Sequence, residues 1–115
     1  MENDSTATSY GIVLVTAPSQ EEGKAIAKTL VEAKLAACVT LMPVHSTYAW
    51  EGQVMEEQEW QMVIKTDLSH FSQLEQKIRE LHSYAVPEII ALPIVKGSQP
   101  YLQWIADSVT QSDKS

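Results

Sequence analysis

Two short runs in this chain of 115 residues, Ile12-Val13-Leu14-Val15 and Ile89-Ile90-Ala91-Leu92, are apolar at every position. A strand sends successive side chains to opposite faces, so an extended run of this kind presents apolar groups on both sides of a sheet. A sheet covered on one side only shows alternation instead. Both faces of these strands therefore need cover, either from the chain itself or from another copy of it.

The remaining segments say what kind of sheet this is. Tyr10 to Ala17 is β-branched and apolar up to Pro18, the length of a strand. Ser19 with Glu22 three positions on forms a capping box, in which the serine oxygen and the glutamate carboxylate each take a backbone N–H. Ile26, Ala27, Leu30 and Val31 then carry an apolar helical stripe to about Leu35. Residues 39–49 and 54–66 read as two long strands joined through Trp50-Glu51-Gly52-Gln53, where Gly52 can take the positive φ that a hairpin turn demands. Phe71, Leu74, Ile78 and Leu81 share one face of a second helix. The apolar run 89–95 is a fourth strand in which Pro93 needs an edge or a bulge. Ser98 and Pro100 open a last helix with Leu102, Ile105 and Val109 facing inward.

Strand, helix, strand, strand, helix, strand is the split βαβ, ferredoxin-like α+β order, a four-stranded antiparallel sheet with two helices on one face and, in this chain, a C-terminal helix. A single domain is expected over residues 10–109, with a disordered N-terminal tail at 1–9 and a frayed end at 110–115. A net charge of −7 and a single arginine, Arg79, argue against a nucleic-acid binder, which needs a basic face to neutralise phosphates. No run approaches the roughly 18 apolar residues of a membrane span. The acidic start lacks the pattern of a signal peptide, and the lone Cys38 can form no internal disulfide, so a cytoplasmic location is expected.

Candidate functional residues are few. Cys38 lies where a helical pattern gives way to a strand, and its small apolar neighbours favour a buried structural thiol over a ligand. A metal reading needs its thiolate together with His82, a donor set suited to copper, but no pair of soft ligands has zinc-site spacing. Residues from different subunits would have to meet. In the third strand Trp60, Met62 and Ile64 alternate with Glu57, Glu59, Gln61 and Lys65, so Glu59 and Lys65 share the polar side and are read as an interface ion pair or a ligand pair. Tyr48 and Trp50 share a face, and Tyr84 and Glu88 lie in the loop before the fourth strand. Together these six residues are expected to edge an inter-subunit cleft. No nucleophile with a local base and no phosphate-binding glycine loop is present, so no catalytic residue is assigned and no enzyme is expected.

Leu35-Ala36-Ala37-Cys38-Val39-Thr40, Ser46, Tyr48, Trp50-Glu51-Gly52, Glu59, Lys65-Thr66, Tyr84, Pro87-Glu88, Tyr101-Leu102 and Trp104 together resemble the CutA (CutA1) divalent-cation tolerance family. The resemblance runs from Tyr10 to about Ser108. It implies a compact homotrimer similar to the PII signalling proteins and a response to metal ions through weak or conditional binding of copper or another divalent cation. It implies no required cofactor. Some members carry a second cysteine where this chain has Val15 and Thr16, and many read His-Pro-Tyr where it has His82-Ser83-Tyr84. The alternative is a PII-like signalling trimer that binds a small ligand between subunits and acts through an unidentified protein partner. Neither reading involves nucleic acid or a membrane.

Overall fold

The computed structural model describes residues 9–110, and the tail expectations for residues 1–8 and 111–115 lie outside the described residues. Of the expected tails, Ser9 and Thr110 are described: the Ser9 carbonyl accepts from Leu68 N–H at 2.6 Å, and the Thr110 hydroxyl donates to Ala106 O at 2.7 Å. The elements are β1 (Tyr10–Ala17), α1 (Gln20–Glu32), β2 (Cys38–Trp50), β3 (Gln53–Asp67), α2 (Phe71–Leu81), β4 (Ile90–Pro93) and α3 (Gln99–Ser108), with a 3-10 turn at Leu68–His70 leading into α2. The four strands form one sheet in the order β2-β3-β1-β4, antiparallel at every pairing. This is the split βαβ arrangement that the sequence order implies.

Register sorts the side chains. Val13 faces Ile64 and Val15 faces Met62 across the β1–β3 pair, and Leu41 faces Met62 across β2–β3, so these residues share one side of the sheet. Ile26 and Leu30 of α1 and Leu74 and Ile78 of α2 close over that side, and the cluster is essentially free of solvent. The opposite side carries Ile12, Leu14, Gln61, Val63, Lys65, Cys38, Thr40 and Met42 by the same register. Its Tyr10 end is covered by α3, where Ile105 and Val109 pack with Ala37, Tyr10, Ile94 and Leu102. On β4, Ile90 and Leu92 are exposed to 50% and 45%.

Several expectations are corrected by local geometry. Helix α1 stops at Glu32, short of Leu35, because Lys34 takes a positive φ of 61° and reverses the chain toward β2. Strand β4 holds only Ile90–Pro93, not the whole apolar run, and pairs with four residues of β1 at the edge of the sheet, where Pro93 is tolerated and Ile94 N–H just beyond it donates once more to Tyr10 O at 3.0 Å. Ser98 occupies the N-cap of α3 but makes no side-chain cap bond. The capping box at α1 is half made: Ser19 Oγ accepts from Glu22 N–H at 3.1 Å, but the Glu22 carboxylate goes elsewhere. The β2–β3 turn has Glu51 at φ 50° and Gly52 at φ 79°, both positive as a two-residue hairpin of primed type requires.

Candidate functional site: a carboxylate and phenol cluster on the open sheet face

β1 ends at Ala17 opposite Trp60, so the part of β3 before Trp60 runs past it with β2 as its only strand neighbour. The segment after α2 fills the space beside that overhang. His82 is held against the end of β1 by its Nε2, 2.7 Å from Thr16 O, while its Nδ1 accepts from Tyr84 N–H at 3.0 Å. These partners assign the neutral tautomer with the proton on Nε2. Tyr84 stacks near the imidazole, with ring centroids 4.9 Å apart, and its hydroxyl donates to Glu59 Oε2 at 3.1 Å. Glu59 is only 6% exposed, which makes this bond necessary, because a buried carboxylate without a donor is costly.

Alternation along β3 puts Glu57 on the same face as Glu59. Tyr48 lies opposite Met55, and its hydroxyl reaches the diagonal neighbour Glu57 at 2.8 Å. Glu88 comes from the segment leading into β4, close enough for its charge to interact with that of Glu59. Two carboxylates and two phenols therefore gather at one end of the open face, with Glu88 within electrostatic reach of Glu59. The electrostatics record this crowding. Burial, the bond to Glu59 and the surrounding negative charge push the Tyr84 phenol up to about 12. The bond to Glu57 raises Tyr48 above the ordinary phenol value. Packing that strips water from the Glu88 carboxyl, followed by the charge of Glu59, lifts it above the ordinary carboxylate range.

Of the six residues expected to edge a cleft, the fold brings Tyr48, Glu59, Tyr84 and Glu88 together and separates the other two. Lys65 is six residues from Glu59 along β3, about 20 Å at strand rise, and its ammonium lies 5.9 Å from the ring centroid of Tyr101 on α3. The Glu59–Lys65 ion pair is thus not formed within the chain: a shared face fixes direction, not proximity. Trp50 sits at the hairpin tip and is 57% exposed. Cys38 lies directly opposite Lys65, with its Sγ 3.9 Å from Thr40 Oγ1. His82 is anchored at Thr16, four residues further along β1 than Ile12, the partner of Lys65, or about 13 Å away. Within one chain Cys38 and His82 do not meet, and no group of three or more His, Cys, Asp or Glu side chains among the described residues could hold a metal ion as placed. Glu57, Glu22 and Thr16 were not expected at the site. Glu57 was legible on the polar side of β3, but its partner depended on the β2–β3 register.

The fold and this cluster define a small α+β protein whose antiparallel sheet keeps one acid-bearing face outside the core. The family model for the CutA1 divalent ion tolerance protein matches residues 11–108. The divalent-cation tolerance protein CutA of Thermus thermophilus is 46% identical over 98 residues, covering 84% of this chain and 95% of that protein. The solved structure of CutA1 from Oryza sativa superposes with a TM-score of 0.88 at 41% identity, over 94% of this chain and all of that one (100%). That of the periplasmic divalent cation tolerance protein CutA from Archaeoglobus fulgidus gives 0.86 at 40% identity, covering 88% and 99%. The chain belongs to the CutA1 divalent ion tolerance family.

Proposed function

We propose that this protein serves divalent-cation tolerance by binding copper or another divalent cation weakly and conditionally, as a cytoplasmic homotrimer that catalyses no reaction. The observation that carries the reading is the placement of Glu57 and Glu59 on one end of the open face, each held by a tyrosine hydroxyl, with Glu88 within electrostatic reach of Glu59. Carboxylate and phenol oxygens suit hard divalent cations. Binding is weak because Glu57 and Glu59 already accept tyrosine hydroxyl bonds, which an incoming ion must displace. It is conditional because the donors must close together to coordinate the ion. Copper with softer donors draws on Cys38 and His82 from different subunits, and the imidazole must first give up one of its two bonds.

Trimer formation is supported by the apolar groups left on the open face, where Met42, Ile90 and Leu92 are each exposed to between 39% and 50%, and by Trp104 of α3, 44% exposed. Nothing in the geometry favours the signalling alternative, and an unidentified protein partner remains a separate proposal. No nucleic acid and no membrane partner belongs to the reading. Among the described residues no helix is long and apolar enough to cross a membrane.

Titration with Mn²⁺ followed by NMR tests the cluster: the expected result is paramagnetic broadening centred on the amides of Glu57, Glu59 and Glu88. Broadening spread evenly over surface acids overturns it. Calorimetry with Cu²⁺ tests the softer site, since Cys38→Ser and His82→Ala should each lower affinity if that site forms. Sedimentation at micromolar concentration tests the trimer, which a folded monomer would remove. Cell fractionation tests the location.

A further inference from the structure

Glu22 is the one member of the capping box that does not do what its motif implies. Its backbone N–H is bound by Ser19, which closes the first turn of α1. Its carboxylate, freed from that turn, accepts from Ser83 N–H at 2.9 Å, 61 residues further along the chain. The same oxygen lies 3.6 Å from His82 Nδ1, which already accepts from Tyr84 N–H. Two consecutive amides of the segment after α2, those of Ser83 and Tyr84, thus point at a carboxylate and an imidazole. Ala85 and Val86 beyond them are exposed, and Ile89 is the next residue packed against the core. The course of this strap, and with it the reach of Tyr84 to Glu59 and the place of Glu88, is decided where it begins.

We infer that Glu22 is a positioning residue for the carboxylate and phenol cluster, acting from α1 through the Ser83 amide to hold the 82–88 strap. The functional consequence rests on the cation-binding reading; the positioning itself does not. A carboxylate accepting from a backbone N–H makes a charge-assisted bond, roughly twice as strong as a neutral one. Because this bond is exposed, losing it strands no buried group, so the fold should tolerate its removal. The tether needs only a residue other than proline at position 83, since a proline there has no N–H to donate.

The experiment compares Glu22→Ala with Glu22→Gln in the full chain, using amide hydrogen exchange, the Tyr84 ring resonances and Mn²⁺ broadening. In Glu22→Ala the Ser83 and Tyr84 amides should exchange about tenfold faster, as expected on losing a bond to a charged acceptor, and the Tyr84 ring should shift. The thermal midpoint should barely move. Glu22→Gln keeps an acceptor oxygen without the charge, so it should restore both protection and ring position, which separates positioning from a general electrostatic effect. Broadening at Glu59 should weaken in Glu22→Ala and recover in Glu22→Gln. Unchanged exchange at Ser83 and Tyr84, or faster exchange with an unmoved Tyr84 ring, overturns the inference. If the unsubstituted protein shows no Mn²⁺ broadening, the cation reading falls while exchange and ring shifts still decide the tether. Should Glu22→Ala fail to fold, Ser83→Pro, which removes the donor, decides instead: a shifted Tyr84 ring with faster exchange of the Tyr84 amide supports the tether, and an unmoved ring with unchanged exchange overturns it.

Discussion

The two faces of the sheet are built from the same strands and answer to different physics. On the covered face Val13, Val15, Met62 and Ile64 meet two helices and are fully buried, so their contribution is the removal of apolar surface from water. On the open face the chain neighbours of those residues are Ile12, Leu14, Thr16, Gln61, Val63 and Lys65, with Cys38, Thr40 and Met42 beside them on β2. There α3 shields one end with apolar contacts, and the strap with its hydrogen bonds shields the other. One face can therefore carry the stability of the fold while the other mixes charge with apolar groups that the chain leaves partly uncovered. Alternation along β3 separates the two tasks on that strand, whereas β1 and β4 carry apolar groups on both faces.

The largest expected effect lies on the covered face. Ile64→Ala opens a cavity in a site with no solvent access and should cost about 2–5 kcal/mol in chemical denaturation. A loss below about 1 kcal/mol, the range of an ordinary surface change, would erase the contrast between the faces.

Tyr84→Phe should have an intermediate effect, because it leaves buried Glu59 without its donor at a cost of about 1–3 kcal/mol. It should also change the pH dependence. The phenol has an ordinary value near 10 in the unfolded chain and about 12 in the fold. A raised value means that its stabilisation is complete below about pH 10 and is lost as pH climbs through about 12. Denaturation midpoints measured across that window should decline in the natural protein and decline less in Tyr84→Phe. Identical profiles would place Tyr84 outside the network.

Glu88→Gln should act in the opposite direction and least. The Glu88 carboxyl is raised, so the fold makes its ionisation less favourable than in the unfolded chain, and removing the charge should stabilise the protein slightly, by less than about 0.5 kcal/mol. The gain should vanish at low pH, where the natural carboxyl is itself protonated. A destabilisation at neutral pH would show that the charge serves the fold.

Much of the fold was legible because it depends on short-range periodicity. The bounds of β1 and the apolar faces of α2 and α3 follow from spacing alone, and the β2–β3 hairpin follows from the turn at Gly52. The misreadings fall where a long-range contact overrides a local pattern. Glu22 satisfies a motif within four residues, yet its carboxylate finds a better-placed donor at Ser83. The 89–95 run is uniformly apolar, yet only the four residues in ladder register with β1 become a strand. Glu59 and Lys65 share a side of β3, but a strand rises too steeply for residues six apart to touch, and each takes a tyrosine from a different part of the chain.

By itself the sequence determined the family, the element order and which side chains face which side of the sheet, because alternation and helical spacing are properties of the local backbone. Tertiary structure alone decided that Tyr48, Glu57, Glu59, Tyr84 and Glu88 form one cluster, and that Cys38 and His82 do not. The physical reason is that register between strands, and the path of a strap around the end of β1, are set by contacts between residues distant along the chain, which no local pattern records.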